Sequence, residues 1–203
     1  MMLIKSIIIS FLFLASSLGA AEKGYHAKAF AGYNAISLQY HPGAKLKVRP
    51  GQIAGLALGY RFTPNFTGEL EGTYRYNEVN RLELKGKSKQ FAVPLSGDIK
   101  SFTIMANSKL ELPFLPSLVP YVGAGMGITA EYGNWNANVI EDSIWFDYEA
   151  GTETALSYQL MVGIRTPIAN GYYCAAEFRA LDSIIDHMCN HNRSVIFSYH
   201  KAF

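Results

Sequence analysis

The sequence is short of cysteine, of net charge and, past its first twenty or so residues, of any long apolar run. Its two cysteines, Cys174 and Cys189, do not form the paired clusters that hold zinc. The formal net charge is only +2, with no basic stripe, so no nucleic-acid partner is expected. Beyond residue 21 no stretch of about 18 apolar residues occurs, which excludes a bilayer-spanning helix. Helical apolar stripes are missing too. If the mature chain enters a membrane, a closed barrel is the remaining route, because every backbone polar group must find a partner there.

What is present begins with an export leader. Lys5 supplies a positive start, Ile7 to Leu14 form a short apolar stretch, and Gly19-Ala20-Ala21 offers small residues at a cleavage site. Cleavage is expected after Ala21, with Ala20 the alternative, giving a signal peptide over 1–21 and one β-domain over 22–203. No cysteine stands at the cut, so no lipoprotein anchor is expected. Aromatic residues make up 13% of the chain; they favour strands, and tyrosine suits a membrane interface.

From Gly24 onward, period-two alternation recurs between turn-rich breaks, which predicts eight strands. They are placed at about 25–39, 52–62, 66–76, 99–112, 121–132, 154–166, 172–181 and 194–203. The third is the cleanest: Phe66, Gly68, Leu70, Gly72, Tyr74 and Tyr76 alternate with Thr67, Glu69, Glu71, Thr73 and Arg75. Segments of ten residues or more are long enough to cross a bilayer tilted, whereas ordinary strands are nearer five or six. Short connections fall near 63–65, 113–120 and 167–171, and longer loops at about 40–51, 77–98, 133–153 and 183–193. Strict short–long alternation places both termini on the periplasmic side of an outer membrane. All eight prolines are assigned to connections or strand starts, where a missing N–H does little harm.

The side opposite the apolar one holds charges of both signs: Lys28, Arg61, Arg75, Lys109, Arg165 and Arg179 with Glu69, Glu71, Glu111, Glu131 and Glu177. In a soluble barrel these would face water; in an outer-membrane barrel they line the lumen. The expected fold class is therefore all-β, an eight-stranded antiparallel transmembrane up-and-down β-barrel. Such a barrel is only just wide enough for its own side chains. Near-balanced charges then predict a salt-bridged, plugged lumen rather than a pore.

Several motifs resemble a known family. The chain ends with Val195, Phe197, Tyr199 and Phe203 in alternation, similar to the C-terminal signature read by the barrel-assembly machinery; Lys201 departs from it, where an apolar residue is more usual. Pro120-Tyr121-Val122-Gly123-Ala124-Gly125-Met126-Gly127 resembles a strand of the OmpA-like and opacity-type eight-stranded barrels, and residues 66–76 resemble that family's third strand. The resemblance covers the whole mature chain and is architectural. It implies integral residence in the outer membrane among lipids and lipopolysaccharide, and no peptidoglycan-binding domain is expected to follow the barrel.

Candidate chemistry is sparse. Ser198 and His200 share a face, with His26 close across the seam, but a third catalytic partner is missing and a structural role is expected. Asp186, His187, Cys189 and His191 are ligand types in a stretch read as a mobile loop; no metal site and no cofactor are assigned. Cys174 and Cys189 sit too far apart along the strands for a disulfide. The loops carry the rest of the signal: basic Lys45, Lys47, Arg49, Lys85, Lys87 and Lys89, and an acidic, aromatic third loop with Trp135 and Trp145. These could meet lipopolysaccharide or a host ligand. A non-enzymatic structural or adhesin-like surface protein is the leading reading; a small porin or channel, a lipid A-modifying enzyme and a soluble periplasmic barrel are the rivals.

Overall fold

The computed structural model describes residues 24–40, 44–85, 90–112, 117–138, 145–149, 152–169, 171–185 and 188–203. The leader lies outside them. Ten antiparallel strand segments are formed: β1 (Gly24–Tyr40), β2 (Ala44–Val48), β3 (Gly51–Thr63), β4 (Phe66–Lys85), β5 (Gln90–Glu111), β6 (Val119–Asn138), β7 (Trp145–Glu149), β8 (Glu153–Ala169), β9 (Tyr172–Ile185) and β10 (Met188–Ala202). They amount to eight strands. Asn34 pairs with Gly51, yet three residues on Ser37 pairs with Lys47, so β2 and β3 are one strand broken by an extra residue at Arg49-Pro50. Likewise Glu131 pairs with Glu153 and Asn134 with Glu149, making β7 the continuation of β8.

The ring closes through β1 and β10. Stepping sideways from Ala29, the partners are Leu56, Gly72, Ile104, Ile128, Leu156, Ile184 and Cys189, and the circuit returns to β1 at Gln39, ten residues along. Eight strands at about 4.8 Å and ten residues at about 3.3 Å give a strand tilt of about 41° and a backbone diameter of about 16 Å. That cross-section leaves room for side chains and little else.

Alternation is inside-out relative to a soluble barrel. Leu56, Leu58, Leu70, Ile104, Leu160, Val162 and Phe197 are exposed on the outer wall, while Lys28, Glu71, Arg75 and Arg179 are almost fully buried. Such an apolar outer belt has a low-energy solvent only in lipid. At the end carrying the termini, Tyr25, Tyr60, Phe62 and Phe66 meet edge to face or tilted, and Tyr172 stacks on Tyr199. Lys201 fits beside them by donating to the Tyr172 hydroxyl at 2.7 Å over the same ring, an ammonium reaching the interface on its apolar stem.

The expected long loops are mostly strand. Residues 77–85 and 90–98 extend β4 and β5, 133–138 extends β6 against β7, and β9 and β10 run to Ile185 and from Met188. Asn190 and His191 therefore stand on a strand rather than in a loop. The 22 residues of β5 rise about 55 Å at this tilt, against an apolar band of about 25 Å. The far end of the barrel thus projects well beyond the lipid.

Two prolines also depart from expectation. Pro94 sits inside β5, but beyond Leu95, the last residue paired with β6 among the described residues. Pro167 sits inside β8 beside a register shift against β9. Edges and bulges are the places where a strand tolerates the missing N–H.

Candidate functional site

The lumen is stacked in layers along the barrel axis. Its centre is a network of three cations and three carboxylates. Lys28 Nζ lies 2.8 Å from Glu69 and 3.2 Å from Glu71, and Lys109 Nζ lies 2.9 Å from Glu69 and 3.3 Å from Glu177. Arg179 joins Glu71 through both terminal nitrogens and Glu177 through Nε. Remaining valences are met by neutral partners: Thr73 donates to Glu71 at 2.8 Å, and the Tyr121 hydroxyl to Glu177 at 2.6 Å. The Phe30 ring lies under Lys28 and Arg179, at 5.1 and 4.6 Å. Buried charge survives only when paired and hydrogen-bonded this thoroughly.

Above this, toward the far end, the lumen turns neutral. Thr103, Thr129, Ser157 and Ser183 form a hydroxyl chain with links of 2.7–3.0 Å, and Arg75 donates into it at Thr103. Asn34 ties Asn77, Asn192 and Ser194 together, and Asn190 donates to half-buried Glu131. Higher still, Ile36, Leu46, Val79, Leu95 and Ile99 pack into an apolar cap. Among the described residues, the axis is thus occupied from the charged centre to the cap.

The end carrying the termini is different. A cavity of about 350 Å³ opens there, bordered by His26, Arg61, Thr67, Lys109, Glu111, Arg165, Tyr173 and His200 among others. Each is an inward residue near a strand's end and, with Tyr121 of β6 also lining the cavity, all eight strands converge their chemistry on one mouth. Arg61 and Arg165 both bind Glu111, at 2.8 and 2.6 Å. His26 meets Glu69 at 3.1 Å, and Ser198 Oγ lies 2.8 Å from His200 Nε2.

All eleven predicted lumen charges point inward: ten are buried and Glu131 is half-buried. Closure of β1 on β10 sets Lys28 opposite His200, and ring nitrogens of His26 and His200 come within 4.8 Å of each other and of a Glu69 oxygen. Sequence reasoning had placed the two histidines near one another but found no third partner. Glu69 now completes a cluster that could formally hold a metal, yet Lys28 and Lys109 already occupy its carboxylate, so a cation would meet two ammonium groups. For the Ser198–His200 pair, no hydrogen bond joins His200 to a carboxylate among the described residues, so the relay of a triad is incomplete. Thr67 falls on the polar side read for its strand; Tyr121 was not foreseen as a lumen residue, although its parity on β6 with Gly123 and Gly125 was the available signal.

The terminal-strand residues Val195, Phe197, Tyr199 and Phe203 all face outward and are exposed. Of the predicted loop surface, Arg49 is exposed and pairs with Glu78 at 3.4 Å, and Lys47 is half-buried on β2. Lys45, Lys85, Trp135 and Trp145 lie on β2, β4, β6 and β7 by backbone, not in loops; their side chains, and the whole of Lys87 and Lys89, lie outside the described residues.

A closed ring of tilted strands, apolar outside and charged within, is a transmembrane β-barrel of the outer-membrane type. The sequence matches the outer membrane protein beta-barrel domain over residues 7–200, and the chain belongs to that family. It is an integral outer-membrane protein. Neisserial surface protein A is similar in structure, with a TM-score of 0.59 at 14% identity over 92% of this chain and 100% of that one. OprG of Pseudomonas aeruginosa gives 0.54 at 14% identity over 91% and 98% of the two chains. Ail, the attachment invasion locus protein of Yersinia pestis, gives 0.51 at 11% over 88% and 99%. At these identities the likeness is one of fold. No curated protein matches the sequence.

Proposed function

We propose that this barrel is a non-enzymatic surface protein, structural or adhesin-like, that acts through its far end and conducts no solute. The observation that carries the reading is the filled lumen: a balanced ionic centre, a hydroxyl and amide layer, and the apolar cap of Ile36, Leu46, Val79, Leu95 and Ile99. With transport blocked, the paired-strand extension beyond the lipid is what remains to meet other molecules. The short turns and both termini then face the periplasm, and the far end faces outward to lipopolysaccharide and to a host or surface ligand. Val195, Phe197, Tyr199 and Phe203 present the outward apolar row that the barrel-assembly machinery would read. Planar-bilayer recording tests the proposal: reconstituted barrel should give no steady conductance, and a stable open channel would refute it. A lipid-modifying role is tested separately by His200→Ala, which should leave lipid A acylation unchanged.

A further inference from the structure

The buried charges do not balance evenly along the axis. In the centre Lys28, Lys109 and Arg179 match Glu69, Glu71 and Glu177, and the layer above adds one charge of each sign, Arg75 and Glu131. At the mouth, Arg61 and Arg165 share the single carboxylate Glu111. One cation is left over, and it is left over where the cavity opens.

Two of the five buried side-chain polar atoms without a hydrogen-bond partner among the described residues also lie at that mouth. Arg165 Nε and Thr67 Oγ1 are buried without a hydrogen-bond partner, and both residues border the cavity. Arg165 is 9% exposed and Thr67 3%. The Arg165 guanidinium carbon lies 4.5 Å from the centre of the Tyr173 ring, a contact that consumes none of its hydrogen-bond donors. Thr67 stands between two cations on the inner wall, opposite Arg61 on β3 and Lys109 on β5. Opposite residues of paired strands have Cβ atoms about 5 Å apart.

We infer that this mouth is a binding site for one small phosphate-type oxyanion, held by Arg165, Arg61 and the Thr67 hydroxyl. An excess cation in a half-enclosed cavity raises the local potential for an anion, and Arg matches such oxygens bidentately. A divalent cation is disfavoured by the same surplus. The volume of about 350 Å³ admits inorganic phosphate or the phosphodiester headgroup of a neighbouring lipid, and nothing the size of a folded partner. The site lies at the opposite end from the surface activity proposed above and does not depend on it.

The test uses the refolded barrel in non-ionic detergent micelles, titrated in one arm with inorganic phosphate and in the other with phosphatidylglycerol added to the micelles. Expected is saturable binding of one of the two probes, one per barrel, accompanied by a rise in the unfolding midpoint; the arm that binds identifies the source. Thr67→Glu builds a carboxylate between Arg61 and Lys109 and should abolish binding while keeping the barrel folded. Arg165→Gln removes the surplus cation, leaves Arg61 matched to Glu111, and should weaken binding tenfold or more. Saturation by neither probe, or equal binding in wild type and Thr67→Glu, overturns the inference. Conductance plays no part in this readout, so its failure and that of the closed-lumen reading are separate results.

Discussion

Glu71→Gln is the sharpest probe of the ionic centre. The Glu71 side chain has no solvent exposure. Arg179 grips it with two nitrogens, Lys28 Nζ lies 3.2 Å away, Thr73 donates at 2.8 Å and Asn107 at 3.4 Å. Glutamine preserves the volume but leaves three cations facing two carboxylates and points an amide N–H₂ or a neutral oxygen at Arg179. Breaking a buried pair from one side costs about 3–5 kcal/mol. The low end applies, because Lys28 keeps Glu69 and Arg179 keeps Glu177. With a urea dependence of about 1–3 kcal/mol per molar, the midpoint in lipid vesicles should fall by about 1–3 M. Adding Arg179→Met restores two cations against two carboxylates, Lys28 and Lys109 with Glu69 and Glu177, and should recover at least half of the loss. If Glu71→Gln costs less than about 1 kcal/mol, or the double variant is less stable than the single, the network is not held together by charge balance.

Three further outcomes follow from the packing. Gly55→Ala places a β-carbon 2.4 Å from both Phe30 Cζ and the Gly72 carbonyl oxygen, so it should cost about 1–3 kcal/mol by urea unfolding; Gly72→Ala, whose β-carbon meets only Phe102 Cζ at 3.9 Å, should be near neutral. Leu46→Ala opens the cap at a residue 2% exposed and should lower hydrogen-exchange protection of the β2 amides by the equivalent of about 2–4 kcal/mol, leaving the amides of β9 unchanged. Cys174 pairs with Tyr199 and Cys189 lies ten residues away along β10, about 33 Å at strand rise; the unfolded, unreduced chain should therefore titrate two thiols per molecule, and a titre of zero would contradict the register.

The transmembrane section was readable in the sequence because lipid enforces one rule on it. On β5, Phe102, Ile104, Ala106 and Leu110 face out while Ser101, Thr103, Met105, Asn107 and Lys109 face in. Above the lipid the rule reverses on the same strand: Leu95 and Ile99 turn in to the cap, and Ser96, Asp98 and Lys100 face out. A reader tracking an apolar outer side sees the pattern dissolve near residue 99 and infers a loop, although the strand continues to Gln90. The inward charges were readable for the same reason that the outer belt was. Their partners were not. Glu71 and Arg179 lie 108 residues apart, on β4 and β9, and their contact depends on how the whole ring closes, a quantity no local window contains.

The reversal also explains how one architecture serves two solvents. In the lipid section an apolar interior would compete with the apolar exterior for the same face, and a slip of one residue would turn the charges outward into hydrocarbon. Buried ion pairs add little net stability, yet misplacing them is expensive, so Lys28, Glu71 and Arg179 fix the register more than they strengthen the fold. Above the lipid, water takes over that discipline: an apolar cap is stabilised inside, and polar residues such as Arg49 and Glu78 cover the outside. The cap therefore closes the lumen at the end where the wall meets the surroundings, while the terminal end, with Arg61 and Arg165 on one carboxylate, stays open. On the proposed closed lumen, a barrel plugged at one end and electropositive at the other is not a symmetric conduit. Its two ends are built for different neighbours.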